Sequence, residues 1–482
     1  MDNERAIVLD ALTEINEKGG YFHIVMSRVL EKYSYLPQHS RHFIRRLCAE
    51  CVSQQIYLDF CINAFSKTKT EKMKPLIREI MRMGAAQILL MDKVPDHAAV
   101  GECVKLAKKR GLAGLTGFVN GVLRNLARNK DKITLPNRNM EPERYLSIKY
   151  SMPEWIVSYI FNSANILDHG QAADGQDESA DDKKTVNIGR VESTDGSKKH
   201  INTVYDIAKK IISGMTAQRK MSVRFSERID EAGVNELLSK MKEHGIEAKR
   251  SEKLAYAYFL DRVDRPDEIP GLSEGQIYPQ DIGSMMVVEM AGIKAGDQVI
   301  DVCAAPGGKS MHAADKLTAL EERQQYQGNK GAVLSCDKSD AKIMMIEENL
   351  QRCGFKNVKC RVQDATVFNA ELEEAADVII ADLPCSGLGV MGRKPDIRYR
   401  ITLQDITDLA ALQKQILQTV YRYVKPGGTL MYSTCTITGE ENEDNRDWIL
   451  ANLPFTLESE KRLTPGIDGT DGFYITKWRR IG

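Results

Sequence analysis

The sequence predicts a multidomain chain in which an all-helical bundle is followed by a small α+β module and then by an α/β domain built on a parallel sheet. Three observations carry that expectation. Apolar residues recur at spacings of three and four from about residue 4 to 130, strand-like and helix-like segments mix in the middle, and apolar strands alternate with helices from Asp281 onward. The expected spans are 1–140, 141–280 and 281–482. At 482 residues, 42% of them hydrophobic, the chain can supply more than one core.

The first part reads as helices in order: RAIVLDALTEI, HIVMSRVLEKY, the long run RHFIRRLCAECVSQQIYLDFCINAF, LIREIMRMGAAQILLM, HAAVGECVKLAKKRG and GFVNGVLRNLARN. Residues 1–145 hold 24 basic against 16 acidic side chains, and the rest of the chain carries the opposite surplus. The basic residues gather at Lys67–Lys74, Lys105–Arg110 and Arg124–Lys132, where they could follow a phosphate backbone or simply form a solvated face. Residues 164–203 are rich in Asp, Ser, Gly and Lys and poor in apolar side chains, so they read as a disordered insertion. Helix-like PEWIVSYIF precedes it and YDIAKKIISGM follows it. Strand-like KMSVRFS, helix-like VNELLSKMKEHG and strand-like AYAYFLDR then form the α+β module. The strands QVIDVC, AVLSCD, VKCRVQD, DVIIADLP and TLMYSTC make the parallel sheet of the last domain, and ligands bind such sheets at the carboxyl ends of their strands.

Composition excludes several classes. Lys plus Arg and Asp plus Glu both number 67, so no global charge marks a nucleic-acid binder. No apolar run approaches the roughly 18 residues that span a bilayer, and MDNERAIVLDAL lacks a cationic leader, so the expectation is a cytoplasmic protein without membrane contact. Ten cysteines spread over so long a chain argue against a disulfide framework or a zinc ribbon, and no metal site is expected. A monomer is the default expectation.

The chemistry collects at the strand ends. VIDVCAAPGGKS (Val299–Ser310) is a glycine turn that lets backbone approach a ligand at a helix N-terminus. It misses the phosphate-binding loop because Cys303 stands where that motif needs glycine, and the dinucleotide fingerprint is absent. Asp337, at the end of the second strand, is placed to accept from ribose hydroxyls, and Asp364 at the next could accept from an adenine amine. Any one of these aspartates alone reads as a helix cap. Together with AAPGGK they point to S-adenosylmethionine. Asp382 and Cys385 end the very apolar strand DVIIADLPCSGLG, and Cys435 ends TLMYSTCTI. Cys48, Cys51, Cys61, Cys103, Cys353 and Cys360 read as small buried hydrophobes, whereas two cysteines at adjacent strand mouths do not.

A thiol pair there suits one reaction. Carbon 5 of cytosine is too electron-poor to attack a sulfonium methyl group until a nucleophile has added at carbon 6, and thiolate is suited to that addition. Asp382 could hydrogen-bond the ring nitrogen and amine, and a second thiol or its water could assist elimination.

CAAPGGK (Cys303–Lys309), DLPCSG (Asp382–Gly387) and STCT (Ser433–Thr436) resemble the signature set of the RsmB/NOP family of RNA (cytosine-C5) methyltransferases. RKPDIR (Arg393–Arg398), VKPGG (Val424–Gly428), EEN (Glu440–Asn442) and DGFY (Asp471–Tyr474) are supporting matches. The resemblance implies a Rossmann-like class I S-adenosylmethionine-dependent methyltransferase domain. It makes Cys435 the nucleophile and Cys385 the residue that aids product release. It assigns cofactor contacts to Cys303, Ala304, Ala305, Pro306, Gly307, Gly308, Lys309, Asp337, Asp364 and Asp382. The helical region with GFVNGVLRNLAR resembles the NusB-type RNA-binding domain of the bacterial branch, which implies 16S ribosomal RNA as the partner, with the α+β module as a further RNA-binding element. A structured target would have to unstack its cytosine first.

The chain departs from the family pattern in places. Leu383 stands where alanine is usual, Ser226 replaces the asparagine two residues after Arg224 and puts one RNA contact in doubt, and Glu321–Gly331 is an extra segment. The same chemistry on transfer RNA, or a non-catalytic assembly factor with a vestigial cofactor fold, are the alternatives. Intact Asp382, Cys385, Cys435 and the glycine turn argue against the second.

Overall fold

A computed structural model describes residues 3–173, 195–263 and 265–482, which divide into two compact units: Met1–Ala217 with Met391–Arg400, and Gln218–Val390 with Ile401–Gly482. The expected middle span, 141–280, is thus shared between them.

The first unit consists of helices. In order they are α1 (Glu4–Glu17), α2 (Phe22–Lys32), α3 (Gln38–Ser53), α4 (Gln55–Phe65), α5 (Pro75–Leu90), α6 (Asp96–Lys109), α7 (Thr116–Asn129), α8 (Pro142–Tyr150), α9 (Glu154–Ala173) and α10 (Asp195–Thr216). Their apolar stripes meet in one core that includes Leu9, Leu12, Ile44, Leu47, Leu58, Ile80 and Leu123, and each fully buried side chain of this size contributes about 1.5–3 kcal/mol. Asn3 caps α1 by accepting from the N–H groups of Arg5 and Ala6. The run read as one helix, 41–65, is two. It breaks at Gln54 because Ser151, held at φ +50, lends its Oγ to the Ile56 N–H at 2.9 Å and so starts a new helix. Cys48 and Cys51 are spaced as a C-x-x-C pair, yet both face the core from α3, and burial pushes both thiols up.

Parts of the span 164–203, expected as a disordered insertion, are helical, because α9 continues to Ala173 and α10 begins at Asp195. Buried Ile156, Val157 and Ile160 anchor α9, and Val204, Ala208, Ile211 and Ile212 anchor α10, so each polar stretch extends a helix already fixed by its apolar face. Residues 174–194 lie outside the described residues.

Met391–Arg400, which contains RKPDIR, packs within this helical unit and caps helix C-termini. Arg398 donates to the carbonyls of Tyr150 and Ser151, Tyr399 to that of Ser53 at 3.1 Å, and Arg400 to those of Ile15 and Gly19. The cationic side chains thereby meet the negative ends of α8 and α1.

The second unit holds two sheets. β1 (Met221–Phe225), α11 (Glu231–Glu243), β2 (Glu247–Arg250), β3 (Ala257–Asp261) and β4 (Ile277–Pro279) form an antiparallel sheet in the order β2-β3-β1-β4, over a core of Val223, Phe225, Leu237, Met241 and Leu260. Then come α12 (Ile282–Ala291), β5 (Gln298–Asp301), α13 (Gly308–Arg323), β6 (Ala332–Asp337), α14 (Asp340–Cys353), β7 (Val358–Val362), β8 (Ala376–Asp382), α15 (Leu403–Val420), β9 (Val424–Thr434), α16 (Glu443–Asn452), β10 (Phe455–Leu463) and β11 (Phe473–Arg480). Seven strands pair in the order β10-β11-β9-β8-β5-β6-β7. The five from β5 to β9 are parallel, as expected, and the β10–β11 hairpin adds an antiparallel edge. In β8, Val378 to Ala381 are all buried, which is why that strand reads as a continuous apolar run. The strand order reverses between β5 and β8, and such a switch point opens a crevice at the carboxyl edge. Among the described residues no helix is long and apolar enough to cross a membrane, and no group of three or more His, Cys, Asp or Glu could hold a metal ion.

Candidate active site

β5 ends on Asp301, and the chain turns through Cys303–Gly307 into α13. Gly307 sits at φ +102, a conformation that side-chain-bearing residues rarely adopt, and directly precedes the helix. At Gly308 a Cβ would meet nothing nearer than Gln280 Cγ at 4.0 Å, so the chain's own packing does not demand glycine there. The turn is tied to β6. The Ala304 N–H donates to the Cys336 carbonyl at 2.8 Å and the Ala305 N–H to Asp337 Oδ2 at 3.2 Å. Asp301 itself is buried beneath the turn. It accepts from Ser310 Oγ at 2.7 Å, and burial pushes its carboxyl up to about 7.

The expected aspartates stand at successive strand ends. Asp337, buried, accepts from the Lys338 N–H at 2.8 Å and from Lys342 Nζ at 3.0 Å. Asp364 is exposed beyond β7 and accepts from both the N–H and the hydroxyl of Thr366, bonds that hold its carboxyl below the usual range. Asp382 ends β8, where its Oδ1 accepts from Ser433 Oγ at 2.7 Å and its Oδ2 accepts from Lys309 Nζ. Burial opposes charge on Lys309, but the adjacent carboxylate outweighs it and holds the ammonium above its ordinary pKa.

The parallel register of β8 and β9 pairs Asp382 with Ser433, which brings the loops beyond both strands side by side. There the Sγ atoms of Cys385 and Cys435 lie 3.3 Å apart, and the Cys435 N–H also points at Cys385 Sγ at 3.3 Å. Hydrogen bonding to Cys435, then burial, then nearby negative charge raise the Cys385 thiol well above its usual pKa. Its surroundings thus disfavour the thiolate form of Cys385. Gly389 is required beside them, because a Cβ there would fall 2.3 Å from the Gly472 carbonyl oxygen and 2.8 Å from that of Cys435.

Of the cysteines read as core, Cys48, Cys51, Cys61, Cys103 and Cys353 are buried and Cys360 is half-buried. Three features escaped the sequence reading. One is the Lys309–Asp382 pair; Lys309 was assigned to the cofactor and not to a strand-end carboxylate. The second is a buried polar network behind the thiols, centred on Gln413 and Glu441, of which only EEN gave a sign. The third concerns the RNA contact that Ser226 put in doubt. Arg224 is fully buried and pairs with Asp315, while Ser226 Oγ donates to the same carboxylate at 2.6 Å, so both residues serve the interior. Leu383 keeps a backbone role, donating its N–H to the Ser433 carbonyl at 3.1 Å.

One edge of the sheet thus carries a glycine turn leading into the open N–H groups of a helix's first turn, two carboxylates suited to a nucleoside, and a lysine–aspartate pair beside two thiols. That donor set fits S-adenosylmethionine, and with the strand order it defines an S-adenosylmethionine-dependent methyltransferase. Residues 289–479 match the family model for 16S rRNA methyltransferase RsmB/F, and residues 2–128 match the NusB family. The chain belongs to the RsmB/F methyltransferase family. It is 30% identical over 501 residues to the probable ribosomal RNA small subunit methyltransferase B of Bacillus subtilis (strain 168), with 99% of each chain covered. It is 26% identical over 484 residues to the ribosomal RNA small subunit methyltransferase B of Cronobacter sakazakii (strain ATCC BAA-894), with 98% of each covered. The crystal structure of PH0851 shares the fold with a TM-score of 0.74 at 22% identity, covering 100% of this chain and 99% of the other.

Proposed function

We propose that this protein transfers a methyl group from S-adenosylmethionine to carbon 5 of a cytosine in 16S ribosomal RNA, through a covalent bond between Cys435 and carbon 6. The observation that carries this reading is the pair of thiols 3.3 Å apart beside Asp382, since methylation of an exocyclic amine has no use for a thiol. Relatives named for the small-subunit RNA, and the basic surplus of residues 1–145, support the choice of substrate.

S-adenosylmethionine, when bound, supplies an electrophilic methyl group on sulfonium sulfur. The turn Cys303–Lys309, Asp337 and Asp364 would hold it, the N–H groups at the start of α13 suiting a carboxylate and the two aspartates suiting the hydroxyl and amine donors of a nucleoside. Cys435 Sγ, as thiolate, adds to carbon 6, and the electrons of the carbon 5–carbon 6 double bond make carbon 5 nucleophilic. Asp382 faces the ring nitrogen and amine, and the Lys309 ammonium beside it, which keeps its proton, offsets the negative charge developing there. Once carbon 5 carries the methyl group its proton passes to water, the double bond reforms, and the carbon 6–sulfur bond breaks with its electron pair left on Cys435. Cys385, whose surroundings disfavour its thiolate form, donates to that leaving sulfur.

The test is transfer of labelled methyl from S-adenosylmethionine to unmodified 16S ribosomal RNA with transfer RNA in competition, followed by mapping of the product base. One 5-methylcytosine in the ribosomal RNA is expected. Label only in transfer RNA would replace the substrate, and label on any other atom would overturn the mechanism.

A further inference from the structure

Glu441 is fully buried, and its carboxylate is held by three neutral donors. Oε1 accepts from the Ser386 N–H at 2.8 Å and from Gln413 Nε2 at 3.1 Å, and Oε2 accepts from Thr438 Oγ1 at 2.7 Å. The same Gln413 Nε2 donates to the Pro384 carbonyl at 2.8 Å. Both neighbours of Cys385 are therefore fixed by this pair, one through its carbonyl and one through its N–H. The other sulfur is tied in as well, because Ser386 Oγ lies 2.6 Å from Thr436 Oγ1, the residue after Cys435. Behind the pair, Asn445 on α16 donates to Gln413 Oε1 at 2.6 Å, and the Tyr432 hydroxyl on β9 lies against both Gln413 Oε1 and the Glu441 carbonyl, to either of which it can donate its one proton. A buried carboxylate among neutral groups costs several kcal/mol in desolvation, a cost for which the core packing gives no reason.

We propose that Glu441 is a positioning residue of the two-thiol centre: its carboxylate binds the loop of Cys385 to the turn after Cys435, setting the distance between the sulfurs and fixing Cys385 as the one that stays protonated. The inference rests on the reading that Cys435 attacks and Cys385 assists its release. Geometry and charge act together here. A thiolate at Cys435 needs a thiol neighbour that donates to it, and a fixed negative charge behind Cys385 disfavours ionisation on that side.

The experiment uses the full-length protein with Glu441→Gln, which keeps an oxygen for the Ser386 N–H and removes the charge, and Gln413→Leu, which removes the Pro384 contact. Three measurements are made: kcat and KM for methyl transfer, S-adenosylmethionine affinity, and the pH dependence of iodoacetamide alkylation at Cys385 and Cys435, resolved by mass spectrometry of their peptides. For Glu441→Gln the expected result is kcat lower by about tenfold or more with RNA KM and S-adenosylmethionine affinity within about threefold. Alkylation of Cys385 should begin at a pH lower by about one unit than in the parent protein. Gln413→Leu should lower kcat without that shift. An unchanged Cys385 alkylation profile in Glu441→Gln, or kcat within about twofold of the parent, would overturn the proposal. Failure of the cytosine-C5 reading shows separately, as the absence of 5-methylcytosine from the parent protein's product, and the alkylation arm still decides on Glu441 in that case.

Discussion

Cys385 and Cys435 are 50 positions apart in the chain, yet their Sγ atoms lie 3.3 Å apart, because β8 and β9 are parallel neighbours in register at Asp382 and Ser433. Two thiols this close cannot both be thiolate without strong mutual repulsion, so one proton stays between them. The division of labour follows. Cys435→Ala should abolish methyl transfer while S-adenosylmethionine still binds. Cys385→Ala should accumulate a denaturation-resistant protein–RNA adduct that disappears when Cys435 is also replaced, visible as a shifted band on a denaturing gel. Near-normal turnover by Cys435→Ala would remove it as nucleophile.

Lys309 and Asp382 form an ion pair on the edge of the crevice. Lys309→Met leaves Asp382, which is only partly exposed, without its cation, so turnover should fall by about a hundredfold or more. Lys309→Arg should recover part of the loss by restoring the charge at a longer reach. Single-turnover transfer rates check this, with thermal unfolding as the control for folding.

Arg224 and Asp315 are both fully buried, and Arg228 Nε adds a second cation to Asp315 at 2.8 Å. Removing Asp315 alone leaves Arg224 an uncompensated interior charge, so Asp315→Leu should cost about 3–5 kcal/mol. Replacing both, in Arg224→Met with Asp315→Leu, should recover part of that cost. Urea denaturation measures the difference, and unchanged RNA affinity in the folded fraction would separate this interior role from a direct RNA contact.

Asp301 offers a pH signature. Its carboxyl is pushed up to about 7 by burial, against about 4 in an unfolded chain, so the folded state binds this proton more tightly. The stability it contributes is present below about pH 4 and is lost as pH rises through about 7. Asp301→Asn should flatten that fall. The check is the slope of unfolding free energy against pH for the two proteins, measured without S-adenosylmethionine.

Much was legible in the sequence because the signals were local. Helical spacing from residue 4 to 130, the continuous apolar run of β8 and the glycine turn each follow from the preferences of a few neighbouring residues. The placement of Asp337, Asp364, Asp382, Cys385 and Cys435 at strand ends follows from the same reading, since a strand's carboxyl end is visible in its pattern. The break between α3 and α4 was not legible, because the group that makes it, Ser151 Oγ, comes from nearly a hundred residues away. The β10–β11 edge was missed because β10 is mostly polar while β11 buries successive residues on both faces, so neither sequence shows a clean alternation of apolar and polar side chains.

The sequence by itself determined which chemical groups this protein owns and at which strand ends they stand, for periodicity and turn chemistry depend on nearest neighbours. Tertiary structure alone decided which of those groups meet. It set Lys309 on Asp382, turned Arg224 inward to Asp315, closed the two thiols to 3.3 Å and gathered Gln413, Glu441 and Asn445 behind them. The reason is physical. A buried polar group must find its partner among whatever the packing of distant strands and helices brings within about 3 Å, and that choice is made by the sheet's register and not by the residue's neighbours in the chain.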